Sequence, residues 1–328
     1  MLIARLLVAA LGATGLCCSA ATYQLEYVSK AYSAFYAGLN RHGAVSGQTD
    51  IGNLTFQAHV YENGSIRLLQ AVGDGNTGKA INDRGDVAGE CQQNDRVKAC
   101  LWRADGSVRA FRGPDGHKDY ITVADVNNAQ QVVGYAQSRQ GPMRAYLFDN
   151  GVSKDLGAFD GVTSRATGIN KAGHVSGYST NANGVFHAFI HDGTQLKDLG
   201  TLADHSFAED LNDDGVAVGR ADVSNGERHA VMFKGGQIID LNPLGGESQA
   251  MAINNHEVVV GQWGPVGSSA AFVYKHGRMI NLNHQLDPVT GEGWRLVSAV
   301  NINDRGQIAA IAKREPYDFH VVLLTPMD

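Results

Sequence analysis

A chain of seven repeats, each about 44 residues long and reading as four short strands, predicts an all-β fold closed into a seven-bladed β-propeller. Three observations carry that prediction. An aliphatic residue followed by asparagine recurs at Leu39-Asn40, Ile81-Asn82, Val126-Asn127, Ile169-Asn170, Leu211-Asn212, Ile253-Asn254 and Ile302-Asn303, at spacings of 42, 45, 43, 42, 42 and 49. Five of the seven pairs are followed by a glycine-bearing turn, and the segments flanking the pairs alternate with period two. The last repeat lacks its fourth strand, and an unassigned strand precedes the first.

The front of the chain does not belong to the repeats. MLIARLLVAALGATGLCCSAA has a basic start at Arg5, an apolar run from Leu6 to Leu16, and small residues before Tyr23. That apolar run is about half of the ~20 residues a membrane-spanning helix needs. We read 1–21 as a signal peptide cleaved after Ala20 or Ala21. Leu16 and Cys17 precede the two leading cysteines where a lipidation signal needs a small residue. The expectation is a secreted or periplasmic protein with no transmembrane segment, in which 22–328 form a single repeat domain acting as a monomer.

Tyr23 to Val28 (YQLEYV) is the unassigned strand. If it supplies the fourth strand of the seventh blade, both termini meet in one sheet and no edge stays open. Each repeat then runs through the same four steps. A first strand rich in small residues (Ala37, Gly38, Ala80, Gly168, Ala208, Ala250, Ala252) suits blades converging on an axis. The asparagine begins a tight turn, with glycine three residues on at Gly43, Gly85, Gly173, Gly215 and Gly306 and departures at Gln130 and Glu257. A second strand carries glycine seven residues after the asparagine in six copies. A third strand centres on alanine in six copies, as in His187-Ala188-Phe189, and a fourth ends in patterns such as Asp198-Leu199-Gly200.

As a set, Ile169-Asn170, Gly173, Gly177, His187-Ala188-Phe189 and Asp198-Leu199-Gly200 resemble the repeat of the extracellular HAF-repeat proteins, and the other copies match in part. The resemblance implies an exported bacterial repeat protein and brings no catalytic residues with it.

Composition narrows the function. With 43% hydrophobic and 18% charged residues the chain has the material for a large core, and 40 glycines against 7 prolines fit many tight turns. The net charge of −6, with Lys and Arg scattered, gives nucleic acid no basic surface. After cleavage only Cys91 and Cys100 remain, on strands expected to be neighbours, and a disulfide between them is expected in an oxidising compartment.

Candidate functional residues fall in two groups. Propeller sites gather on the face carrying the loops between blades, and two such loops are longer than the rest. The first offers His117, Asp119 and Tyr120; the second offers Glu292, Trp294 and Arg295, a set able to stack on a sugar ring and bond its hydroxyls. Nearer the axis, the residue two before each asparagine is small except at Asp125, Asp210 and Asn301. These could hold water or a hard cation such as calcium in the channel, although three side chains fall short of the ~6 oxygens calcium takes. The seven asparagines read as turn caps. His187, His229 and His320 have no symmetric counterparts in the other blades, so they read as hydrogen-bonding residues between blades. No nucleophile elbow, zinc helix, phosphate loop or dinucleotide fingerprint is present, and no cofactor is required. The sequence therefore points to a binding module at the cell envelope, for a glycan, another envelope component or a protein. A polysaccharide-active hydrolase or lyase and a purely structural envelope protein are the alternatives.

Overall fold

In the computed structural model, residues 22–31, 36–93, 96–115, 117, 120–160, 162–242, 245–265 and 268–327 are described. The leader read in 1–21 lies outside them. They form seven four-stranded antiparallel sheets, each with its strands in simple sequential order except the last. Blade 4 is representative: Ser164–Ile169, Val175–Thr180, Phe186–His191 and Leu196–Asp198. Blade 7 consists of Arg295–Ile302, Ile308–Lys313 and Phe319–Pro326, and its fourth strand is Tyr23–Lys30, paired antiparallel with the third from Tyr23↔Pro326 to Lys30↔His320. The closure expected from the sequence is present.

The asparagine turns carry more than their own blades. In every repeat the Oδ1 atom accepts the backbone N–H groups two and four residues on, as in Asn212 with Asp214 and Val216. The amide nitrogen donates to the backbone carbonyl of the next blade's asparagine, at 2.9–3.3 Å. The last of these bonds, from Asn303 to the Asn40 carbonyl, closes a ring of seven. All seven asparagines are buried, and a buried amide left without partners costs about 1–3 kcal/mol, so both ends of the side chain matter. The turn itself demands a left-handed residue three positions on. Gly173 sits at φ 82°, and where glycine is absent Gln130 and Glu257 are held at 63° and 58°.

The third-strand motif links one blade to the next. Ala188 is fully buried; its N–H donates to Ser206 Oγ at the start of blade 5, and its carbonyl accepts from Leu199. Ala145 with Ser164 and Ala230 with Ser248 repeat the arrangement. All three alanines are fully buried, and blade 7 carries a buried valine, Val321, at the equivalent position. The neighbouring polar residue bonds within its own blade: His187 Nδ1 lies 2.9 Å from Asp198, His229 Nδ1 lies 2.8 Å from Asp240, and Arg144 pairs with Asp155 at 3.1 Å. The histidine of one motif and the aspartate of the next are thus one unit, and the bond stays inside the blade where the sequence suggested a contact between blades.

Cys91 and Cys100 form a disulfide, with Cα atoms 5.9 Å apart, diagonally across the second and third strands of blade 2. Their side chains lie in the buried cluster with Val60, Val87 and Trp102. Among the described residues no helix is long and apolar enough to cross a membrane.

Candidate functional site

The seven first strands surround a central cavity of about 800 Å³. Because each sheet is a meander, the asparagine turns all lie at one end of this channel. The connections between second and third strands, and between blades, lie at the other, here called the loop end.

One backbone feature decides what the channel presents. In blades 2 to 7 the first strand carries a bulge three residues before the asparagine, where the register skips one position. A bulge leaves its extra residue unpaired and re-aims it. The skipped residues are Lys79, Ala124, Thr167, Glu209, Met251 and Val300, and all of them line the cavity. The next residue lines it too in most blades, including Asp125, Asp210 and Asn301 as the sequence suggested.

Asp125 and Asp210 have a specific structural task. Asp125 accepts the N–H of Val126 with one oxygen and that of Ile169, in the next blade, with the other. Asp210 does the same with Leu211 and Ile253. They stand on either side of Gly168, whose missing Cβ would lie 3.0 Å from Asp210 Oδ1. Burial raises the Asp125 carboxyl to about 6, against the pull of its two amide donors. Burial, reinforced by the charge of Asp125, raises Asp210 to about 7. Among the described residues no three His, Cys, Asp or Glu side chains are gathered as metal ligands would be.

The loop end is where the blades differ. A single cross-strand layer, two residues beyond the bulge, pairs Thr77 with Glu90, Thr122 with Tyr135, Arg165 with Tyr178, Phe207 with Arg220 and Gln249 with Gln262. Its side chains interlock from blade to blade. Arg165 lies over the Tyr135 ring at 4.5 Å and reaches the Tyr178 hydroxyl at 3.2 Å. Tyr178 meets Phe207 edge-on at 4.9 Å, and Phe207 carries Arg220 over its face at 4.5 Å. Arg220 pairs with Glu209 at 2.8 Å, and Gln249 also donates to Glu209. On the other flank Lys79 pairs with Glu90 at 2.7 Å beneath the Tyr36 ring. Burial pushes the Glu209 carboxyl up, and Arg220 and Gln249 hold it down.

Arg165 differs from the other two cations of this wall. Its Nη1 donates to Tyr178 and its Nη2 to the Met143 sulfur, and among the described residues no carboxylate pairs with it.

The loop candidates lie apart from the channel lining. Tyr120 is exposed, its ring 6.2 Å from that of Tyr135, so it borders the loop-end layer. His117 is half-buried, with its backbone N–H donating to the Pro114 carbonyl and its Nδ1 buried without a partner among the described residues. Asp119 lies outside the described residues. Glu292 is exposed on the blade 6–7 connection. Trp294 lies against the closing strand, 6.4 Å from the Tyr27 ring, with Arg314 over it at 4.3 Å. Arg295 donates to the carbonyls of Ser268 and Ser269 in blade 6. The same connection holds the first strand through Thr22 to the Gln285 carbonyl, Asp287 to the Tyr23 carbonyl and Leu25 to Thr290 Oγ1. Its extra length works as a clasp on the ring closure. The two long connections stand three blades apart in the ring, and their described residues do not meet.

Sequence reading missed Lys79, Tyr135, Arg165, Tyr178, Glu209 and Arg220. Their signal was available: aligned on the asparagine, these positions vary from blade to blade, while the scaffold positions repeat.

The sequence matches no known family and no curated protein. Solved structures do resemble it. The β-propeller domain of the Trilobed protease from Pyrococcus furiosus, described as having an open velcro topology, superposes with a TM-score of 0.60 at 10% identity, over 89% of this chain and 94% of that one. A puromycin hydrolase mutant complexed with PGG gives 0.58 at 11% identity, covering 88% of this chain and 52% of the hydrolase. TolB from Acinetobacter baumannii gives 0.50 at 15% identity over 72% of this chain and 62% of TolB. At such identities the likeness shows the fold alone: this chain is a seven-bladed β-propeller, closed by its own first strand.

Proposed function

We propose that the chain is an exported binding module with a single ligand site, at the loop end of the central channel. The observation that carries this reading is the wall of Tyr135, Arg165, Tyr178, Phe207, Glu209 and Arg220, built once on blades 3 to 5 of a scaffold that otherwise repeats. A concave site with convergent polar groups beside aromatic ones is the usual form of a small-ligand pocket. Export draws support from the Cys91–Cys100 disulfide and from the leader-like composition of 1–21. An envelope glycan, another envelope component or a protein segment inserted at the channel mouth are the targets that suit such a module.

A second reading, a polysaccharide-active enzyme, draws on the carboxyls of Asp125 and Asp210 near neutrality. Each has both oxygens on backbone amides, which favours a role in holding blades together over proton transfer. Screening the mature protein on glycan and envelope arrays, beside Tyr178→Ala and Trp294→Ala, tests the site. Binding lost in Tyr178→Ala and retained in Trp294→Ala is expected. The reverse pattern moves the site to the blade 6–7 connection, and binding unchanged in both variants removes the channel mouth as a site.

A further inference from the structure

The proposed site also constrains the chemistry of its ligand, a constraint that rests on the channel mouth being where the ligand binds. We infer that the ligand is an acidic saccharide, a hydroxyl-rich ring bearing one carboxylate, and that Arg165 receives the carboxylate. Three features of the wall lead there.

Charge comes first. Of the three cations of the wall, Lys79 is neutralised by Glu90 and Arg220 by Glu209, both within 2.8 Å. Arg165 alone has no carboxylate partner among the described residues, and it lines the cavity. Arg165 feels the charge of Glu209 only beyond ion-pair distance, so its guanidinium is left to pair with a ligand. A monoanion balances it. A dianion such as a phosphate monoester would add a second negative charge between Glu209 and the Asp125–Asp210 pair, where a low-dielectric wall makes like charges costly.

Geometry comes second. A guanidinium offers five donors in a flat fork suited to a carboxylate. Tyr178 and Met143 take one each. The guanidinium is held over the Tyr135 ring and by these two bonds, so little side-chain entropy is lost when an anion arrives.

The third feature separates a sugar acid from an aromatic or fatty one. The rings of the wall already have neighbours: Arg165 lies over Tyr135 and Arg220 over Phe207, while Tyr178 meets Phe186 and Phe207 edge-on and Tyr120 borders Tyr135. The cavity lining there is mixed but mainly polar, with Tyr135, Tyr178, Lys79, Glu209 and Asn301 beside Met251 and Val300. A ligand covered in hydroxyls matches these groups, whereas an apolar body would desolvate them without return.

The test is calorimetric titration of the mature protein with galacturonate, its neutral methyl ester and galactose 6-phosphate, on wild type, Arg165→Gln and Tyr178→Ala, with thermal melts confirming that each variant folds. The acid should bind, the ester about tenfold or more weakly, and Arg165→Gln should weaken the acid about tenfold while leaving the ester unchanged. An ester that binds as well as the acid, a phosphorylated sugar that binds better, or no binding of the uronate overturns the inference. The two claims fail separately. If the array finds a neutral ligand whose binding Tyr178→Ala abolishes, the channel site stands and the carboxylate assignment falls. If Arg165→Gln and Tyr178→Ala both leave uronate binding intact, both fall.

Discussion

The two ends of the channel are built from the same seven repeats and have opposite character. At the asparagine end every blade contributes the same residue in the same role, and the seven side chains form one closed hydrogen-bonded ring. At the loop end equivalent positions hold Glu90, Tyr135, Tyr178 and Arg220 in successive blades, each contact made once. A closed ring of like bonds is a solution to holding blades together. It needs identical residues because each blade faces an identical neighbour. A ligand has no sevenfold symmetry, so a site for it has to break the repeat. Where the blades agree the chain is solving its fold, and where they differ it is free to solve something else.

Substitutions at the two ends sharpen this contrast. The largest effect is expected from Asn212→Ala, which removes the acceptor of two turn amides and the donor to Asn254. A loss of about 2–4 kcal/mol of stability in chemical denaturation is expected, with ligand affinity at the loop end unchanged in the folded protein. A loss below about 0.5 kcal/mol would show that the asparagine ring does not hold the blades.

Between the two ends lie Asp125 and Asp210, at a position held by a small residue in blades 1, 2, 4 and 6. In the unfolded chain both release their protons near 4. In the fold they retain them to about 6 and about 7. The folded state therefore holds protons that the unfolded state has lost. Their contribution to stability is complete below pH 4 and is lost as the pH rises through 6 and 7. Melting temperatures measured from pH 5 to pH 8 should fall less steeply for Asp210→Asn than for the wild type. Equal slopes would show that the pair does not titrate in this range.

The smallest effect concerns another departure from the repeat. His59 occupies the place that Phe189 and Phe272 take in blades 4 and 6, opposite the second-strand glycine. It is fully buried with neither ring nitrogen paired among the described residues, and burial lowers it to about 4. His59→Phe should raise stability by about 1 kcal/mol at neutral pH. The gain should grow as the pH falls from 6.5 towards 4, where the folded wild type excludes a proton that its unfolded chain binds. A destabilised variant would mean that the space over Gly47 is fitted to imidazole alone.

Much of the fold was legible in the sequence, because the features that build it recur. The asparagine turns, the alanine of the third strand and the missing seventh fourth strand each appear as a pattern across copies, and each has a backbone cause. The site was less legible. Length alone drew attention to the connection bearing Glu292, Trp294 and Arg295, yet much of that length is spent clasping the first strand. Arg165 and Tyr178 sit inside a regular blade, with no insertion to mark them.

The sequence by itself determined the number of blades, their four strands, the closure by a strand at Tyr23 to Val28 and the pairing of Cys91 with Cys100, since these follow from period, turn chemistry and strand adjacency. Only the tertiary structure decided which side chains meet in the channel. A bulge interrupts the period-two alternation just before each asparagine from blade 2 onward, turning Lys79 and Glu209 to the axis beside Asp125 and Asp210. The wall of the site then joins residues about 40 apart in sequence, brought together because a closed ring sets each blade against the next.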